Sequence, residues 1–226
     1  MQNQQPSTLK EIRVHGTQNF PCAFYQTGTR IKGNIVKHHW HEEVELLYFS
    51  GGEFCLEVNM ERFHISEECF YFINPGELHS INVEKNGGCV ENAVVFHMDM
   101  LNSSYSLDQI QTNLIQPVQN GSIQFPRCLR KDEPAFEQVR TAYEEIQNAF
   151  SGSAYRGDYY DGEAVTDDIT RQLFIKSALL RILAVLSANN LFEVTEKNHD
   201  RWIETIKTTL TYIQENYKEK IYIRDL

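Results

Sequence analysis

Residues 38–45, HHWHEEVE, put three histidines and three glutamates into eight positions, directly before the strand-like run LLYFS. Such side chains are seldom fully buried without partners, so the cluster is either a solvated strand end or a set that converges on a centre. Side chains two apart in a strand share a face. From a continuous strand His39, His41 and Glu45 therefore point one way, and His38 and Glu42 the other. Imidazole and carboxylate on one face form a donor set for a divalent transition metal such as zinc, nickel, iron or manganese. The same groups at the mouth of a barrel suit hydrogen bonding to an organic effector. A third reading pairs His39 and His41 with Glu43 and Glu45 as structural ion pairs at a rim. A three-donor face needs a fourth group from elsewhere, and NPGELHS (74–80) offers His79 just after a tight turn.

Other reactive chemistry has little support. There is no GxSxG elbow, no cysteine near a histidine in a recognisable motif and no phosphate-binding glycine loop. No catalytic residue is assigned. His64 and His97 fall in strand patterns and read as satisfied structural residues, while His15 and His199 read as solvent-facing. Trp40 has the parity opposite to its histidine neighbours and is expected to pack outside; Phe70 and Phe72 are expected in the core. The five cysteines are scattered and never form a CxxC pair. With no charged-then-apolar leader they read as reduced thiols of a cytoplasmic protein. LFIKSALLRILAVL (173–186) is the most apolar stretch, but Lys176 and Arg181 interrupt it and it is too short for a bilayer. A net charge of −10 argues against this segment gripping a nucleic-acid backbone. Residues 196–226 balance six basic against six acidic residues, so the negative excess lies upstream.

These residues must be positioned by two kinds of element. The first half reads as short strands near 11–15, 33–37, 43–50, 53–59, 62–65, 69–73, 79–83 and 90–98, with breaks at Gly51-Gly52, Asn74-Pro75-Gly76 and Asn86-Gly87-Gly88. Many short strands with frequent turns indicate a sandwich or barrel. The period then changes. Residues 132–150 and 165–191 read as helices, the second apolar on several sides, and GSAYRGDYYDGE (152–163) reads as a loop between them. In a last helix near 199–218, Ile203, Ile206, Leu210, Ile213 and Tyr217 form one stripe that needs a partner surface. The end at Arg224-Asp225-Leu226 looks cut, since Asp225 would cap a helix with one residue after it.

Gly33, His39, His41, Glu45 and Gly52 stand at the spacings of the first cupin motif, and Gly76 and His79 resemble the second. Pro75 abuts Gly76, and Asn82 comes three residues after His79; both depart from the pattern. HHWHEEVELLYFSGG, FYFINPGELHS, AVVFHMDML and IKTTLTYIQENYKEKIYIRDL, in that order, resemble bacterial transcriptional regulators of the AraC family over roughly residues 30–226. The resemblance implies an α+β fold: a cupin-like antiparallel β-barrel (jelly roll) at 1–105, a helical linker and dimerisation segment at 106–198, and the start of a truncated helix-turn-helix domain at 199–226. It implies a small-molecule effector held by His39, His41, Glu45 and His79, with or without a divalent metal on the same four residues. Promoter DNA would be bound only through a missing C-terminal region, and a homodimer is expected through 173–186. MQNQQPSTLK at the N-terminus reads as a disordered arm or as a flap over the ligand. The alternative is a cupin metalloenzyme, such as a dioxygenase or isomerase, using an open metal position.

Overall fold

The computed structural model describes residues 9–29, 32–85, 89–105, 107–152, 154–158, 161–195, 200–218 and 220–222. Eight strands come first: β1 (Cys22–Thr29), β2 (Gly33–His39), β3 (Val44–Phe49), β4 (Phe54–Val58), β5 (Glu61–Ile65), β6 (Cys69–Ile73), β7 (His79–Val83) and β8 (Cys89–Phe96). A short helical stretch closing in α1 (Gln116–Gln119) leads to β9 (Ile123–Gln124) and β10 (Cys128–Arg130). Next come α2 (Phe136–Phe150), the hairpin β11 (Ala154–Asp158) and β12 (Asp161–Val165), α3 (Ile169–Ala188), β13 (Glu193–Val194) and α4 (Asp200–Asn216).

Among the described residues the strands form two large antiparallel sheets, and β9 pairs with β13 in a small third one. One large sheet runs β10-β6-β3-β8-β1-β12-β11 and the other β2-β7-β4-β5. Leu47, Phe49, Tyr71, Ile73, Ala93 and Val95 of the larger sheet face Phe54, Leu56, Ile81 and Val83 of the smaller one, filling a flattened barrel. Alternate residues Leu46, Phe70, Phe72, Val94 and Phe96 face outward, but they meet α2 and α3 and are buried too. Covered on both faces, β6 reads CFYFI, with every residue buried. This is the α+β, cupin-like arrangement that the sequence implies.

Helix α2 buries Phe136, Val139, Tyr143, Ile146 and Phe150 at helical spacing. Tyr143 lies among Tyr48, Phe70 and Phe24, with ring centroids 5.1, 5.4 and 6.3 Å away. Helix α3 starts where the Asp168 carboxylate accepts from the Arg171 N–H at 2.9 Å. It buries Ile175, Leu179, Ile182 and Leu186 and leaves Ile169, Leu173, Phe174 and Leu180 exposed. No helix among the described residues is long and apolar enough to cross a membrane.

Four local expectations change. Residues 11–15 form no ladder; this segment is attached by a single bridge between Lys10 and Trp40. CAFYQTGT lacks clean alternation, yet it forms β1, paired with β8 on one side and β12 on the other. The expected loop at 152–163 contains the β11–β12 hairpin, and with β10 it extends the barrel sheet well past residue 105. Tyr217 is 66% exposed and so leaves the α4 stripe, where Ile206, Leu210 and Ile213 are half-buried. The Asn86-Gly87-Gly88 turn, His199, the end at Arg224-Asp225-Leu226, residues 1–8 and the Ile203 side chain fall outside the described residues.

Candidate ligand and metal site

β2 ends at His39, directly opposite His79 of β7 in the smaller sheet. The chain then crosses, and β3 places Glu45 in the larger sheet opposite Val95. The continuous strand assumed from parity is therefore interrupted, and the residues converge across the gap between sheets. The ring centroids of His39 and His79 are 4.2 Å apart, those of His41 and His79 5.1 Å, and those of His39 and His41 5.5 Å. One ring nitrogen from each lies within 4.8 Å of the others. Glu45 Oε2 lies 3.3 Å from His41 Nε2 and 3.0 Å from His79 Nε2. His39 instead meets Glu11, Nε2 to Oε2, at 3.2 Å. Of the rim pairs anticipated, His41–Glu45 forms, and His41 Nδ1 reaches Glu43 Oε2 only at 3.7 Å.

The turn before β7 is held on both sides. Gly76 adopts φ 81°, a left-handed conformation that glycine reaches without strain, and its N–H donates to the His41 carbonyl at 2.7 Å. Glu77 accepts from the Asn74 N–H at 2.7 Å, from Asn59 Nδ2 at 3.2 Å and from both terminal nitrogens of Arg127. Arg127 also donates to the Phe72 carbonyl at 2.6 Å.

Each imidazole is oriented by a backbone carbonyl: His39 Nδ1 to Lys37 O at 2.9 Å, His41 Nδ1 to Glu43 O at 3.1 Å and His79 Nδ1 to Glu77 O at 2.9 Å. A carbonyl only accepts, so each Nδ1 carries hydrogen; the Nε2 atoms of His39 and His41 face the Glu11 and Glu45 carboxylates, and that of His79 faces the centre. Burial pushes His79 below the usual imidazole range, outweighing the Glu45 carboxylate beside it. Its Nε2 is buried and has no hydrogen-bond partner among the described residues, although Glu45 Oε2 lies 3.0 Å away. Burial alone would raise Glu45, but His41 and His79 hold it well below the carboxylate range. Burial likewise opposes the charge on His39, yet Glu11 and Glu45 raise its pKa. A neutral, orphaned imidazole nitrogen beside two more Nε2 atoms and an ionised carboxylate fits a borderline divalent cation. The residues that would hold it are His39, His41 and His79, with the Glu45 carboxylate beside the last two.

Residues 26–168 match the AraC-like ligand binding domain family, which is more than half of the chain. The chain belongs to that family. It is 26% identical over 149 residues to the uncharacterized HTH-type transcriptional regulator YdeC of Bacillus subtilis (strain 168), covering 60% of this chain and 50% of that protein. The chain thus spans half the length of the curated relative it matches. Among solved structures, a predicted oxalate decarboxylase of Thermotoga maritima is 25% identical, over 33% of this chain and 64% of that one, with a TM-score of 0.31. A cupin protein of Bacteroides fragilis is 12% identical, over 38% and 75% of the two chains, with a TM-score of 0.33.

In this AraC-like ligand-binding domain His39, His41 and Glu45 line a cavity of about 860 Å³, a size suited to a small molecule. It has a roof, built further along the chain than the flap offered at residues 1–10. Residues 9–16 cross the mouth, held where the Trp40 N–H donates to Leu9 O and the Glu11 N–H to Trp40 O, both at 2.9 Å. His15, which reads as solvent-facing, is 4% exposed, its ring edge-on to His41 at 5.2 Å. His15 Nδ1 meets the Tyr25 hydroxyl at 2.8 Å, and that hydroxyl donates to Glu163 Oε1 at 2.9 Å. Glu163 also accepts from the Gly16 N–H at 3.1 Å. A Cβ at Gly16 would lie 2.5 Å from Phe20 O and Cys22 O, so only glycine fits there. The sequence offers no local signal for this network, because its members lie on three separate segments. Trp40 packs away from the imidazole centre as expected, with Lys207 Nζ of α4 4.5 Å above its ring and Lys10 Nζ at 5.0 Å.

Proposed function

We propose that this chain senses a small molecule in the imidazole-lined cavity and passes its occupancy to α4, and through it to a DNA-binding part of a longer regulator. One observation carries the reading: the site and the α4 contact share residues. His41 O holds Gly76, while Trp40, between the two histidines, lies under Lys207. A Cβ on Gly76 would sit 3.6 Å from Lys207 Nζ, so the turn, the tryptophan ring and α4 meet at one place. A coupling of about 1–3 kcal/mol between cavity and helix is enough for a useful response. A divalent metal on His39, His41, Glu45 and His79 would supply a positive centre for an anionic or carbonyl-bearing effector. The exposed residues Ile169, Leu173, Phe174 and Leu180 of α3 support a homodimer through this helix.

A thermal-shift screen of sugars, aromatic acids and urea-like compounds tests the sensor. A ligand at about a hundred times its dissociation constant adds about 2.7 kcal/mol to stability, and His39→Ala should abolish that gain. A ligand that stabilises His39→Ala equally would overturn the placement. A ligand that the protein consumes would favour the cupin metalloenzyme instead.

A further inference from the structure

The cavity has a second polar pole that the imidazole cluster does not use. Glu91 of β8 lies opposite Thr27 of β1 and Phe49 of β3, on the same strand face as Ala93 and Val95. Val95 is the residue opposite Glu45, so the two carboxyl-bearing positions stand four residues apart along the sheet, about 13 Å between their Cα atoms. Tyr25, Thr27, Val36, Lys37, Ala93 and Val95 line the same cavity. Glu91 is 2% exposed, and its Oε1 is fully buried without a hydrogen-bond partner. Among the described residues no basic side chain lowers its pKa; burial and the charge of Glu45 push the carboxyl well above its usual range. The guanidinium at the roof is engaged elsewhere, since Arg13 Nη2 donates to Glu163 Oε2 at 3.3 Å and lies 4.9 Å over the Tyr25 ring.

A buried carboxyl oxygen without a partner is costly. A neutral hydroxyl or carbonyl would give it one ordinary hydrogen bond. A cation would give a charge-assisted one, about twice as strong, and would relieve its repulsion with Glu45. We propose that the cavity takes a small molecule carrying a protonated amine, whose ammonium docks on the Glu91 carboxyl while its other end faces the imidazole cluster. Docking breaks no bond in the ligand: Glu91 releases its proton to solvent and the ammonium N–H groups donate to both carboxylate oxygens. The inference rests on the sensor reading above and names the ligand class for that cavity.

The probes are n-butylammonium, n-butanol and butyrate, added to the metal-free full chain. At about ten times its dissociation constant n-butylammonium should raise the thermal midpoint by about 3 °C, the other two by much less. Glu91→Gln should abolish that shift. Titration of the unmodified protein in two buffers of different ionisation enthalpy should show close to one proton released per ammonium bound, a readout that needs no variant. Equal stabilisation by butanol or butyrate, no response to any probe, or binding without proton release overturns the amine assignment. None of these results touches the sensor reading, which falls only if ligands found in the broader screen ignore His39→Ala.

Discussion

Glu77→Ala should be among the most damaging single substitutions near the site, although Glu77 contacts no ligand position. The side chain is 7% exposed and serves five donors: the Asn74 N–H and Nδ2, Asn59 Nδ2 and both terminal nitrogens of Arg127. Removing one partner of a buried ion pair costs about 3–5 kcal/mol because the other charge is stranded. Arg127 is 25% exposed, which places its share at about 3 kcal/mol. The orphaned Asn74 N–H adds about 1 kcal/mol. A total near 4 kcal/mol corresponds to a fall in midpoint of about 8–16 °C for a domain of this size. Glu77→Gln keeps one acceptor oxygen and should lose about half as much. Thermal and urea unfolding followed by circular dichroism measure both. A Glu77→Ala midpoint within about 2 °C of the parent would refute the claim that this carboxylate anchors the turn presenting His79.

Zinc or cobalt added to the metal-free protein should raise the midpoint with a stoichiometry near one, and the gain should fall as pH drops and protons compete for the imidazoles; His79→Ala should weaken uptake by at least about 100-fold by competition with a chelating dye. Lys207→Met removes the cation over Trp40 but keeps the stem, and amide exchange in α4 should quicken by about 5–30-fold, the equivalent of about 1–2 kcal/mol. Stability should also respond to pH through Glu91. Its folded-state pKa is raised, first by burial and then by Glu45, so the folded form holds a proton that the unfolded chain releases once pH passes about 4.3. This contribution is therefore full at low pH and lost as pH rises toward the folded value. Glu91→Gln should be more stable than the parent at pH 7–8 and show little advantage near pH 4, as read by urea unfolding at each pH.

What could be read from the sequence follows the range of the interactions. Strands β3, β6, β7 and β8 are dense in β-branched and aromatic residues and announce themselves locally. β1 does not: CAFYQTGT takes its extended form from two flanking strands whose paired residues lie about 60 and more positions away in sequence. The glycines and aspartates of β11 and β12 signal a turn, and only the ladder with β1 makes the flanks strands. The imidazole set was legible because residue type and spacing point to it, yet the one-strand premise fails at Trp40. The three β2–β3 residues meet because the chain changes sheets there, and β7 brings the fourth. Glu91 carries a readable signal, since alternation in ENAVVF sets it on the face of Ala93 and Val95. His15 carries none; a polar local context hides a burial imposed by Tyr25 and Glu163.

Trp40 makes sense of why two histidines were kept one residue apart across a sheet change. Its backbone N–H and carbonyl both bind the roof segment, at Leu9 and Glu11, and its ring lies under α4. The flanking histidines face the cavity centre. Any shift that a ligand imposes on His39 or His41 must therefore strain the two roof hydrogen bonds or the Lys207 contact, because the peptide units joining the three residues are rigid. A cavity serving catalysis alone gains nothing from being tied to a peripheral helix. A cavity that reports occupancy needs that tie, and here the connection is one residue long.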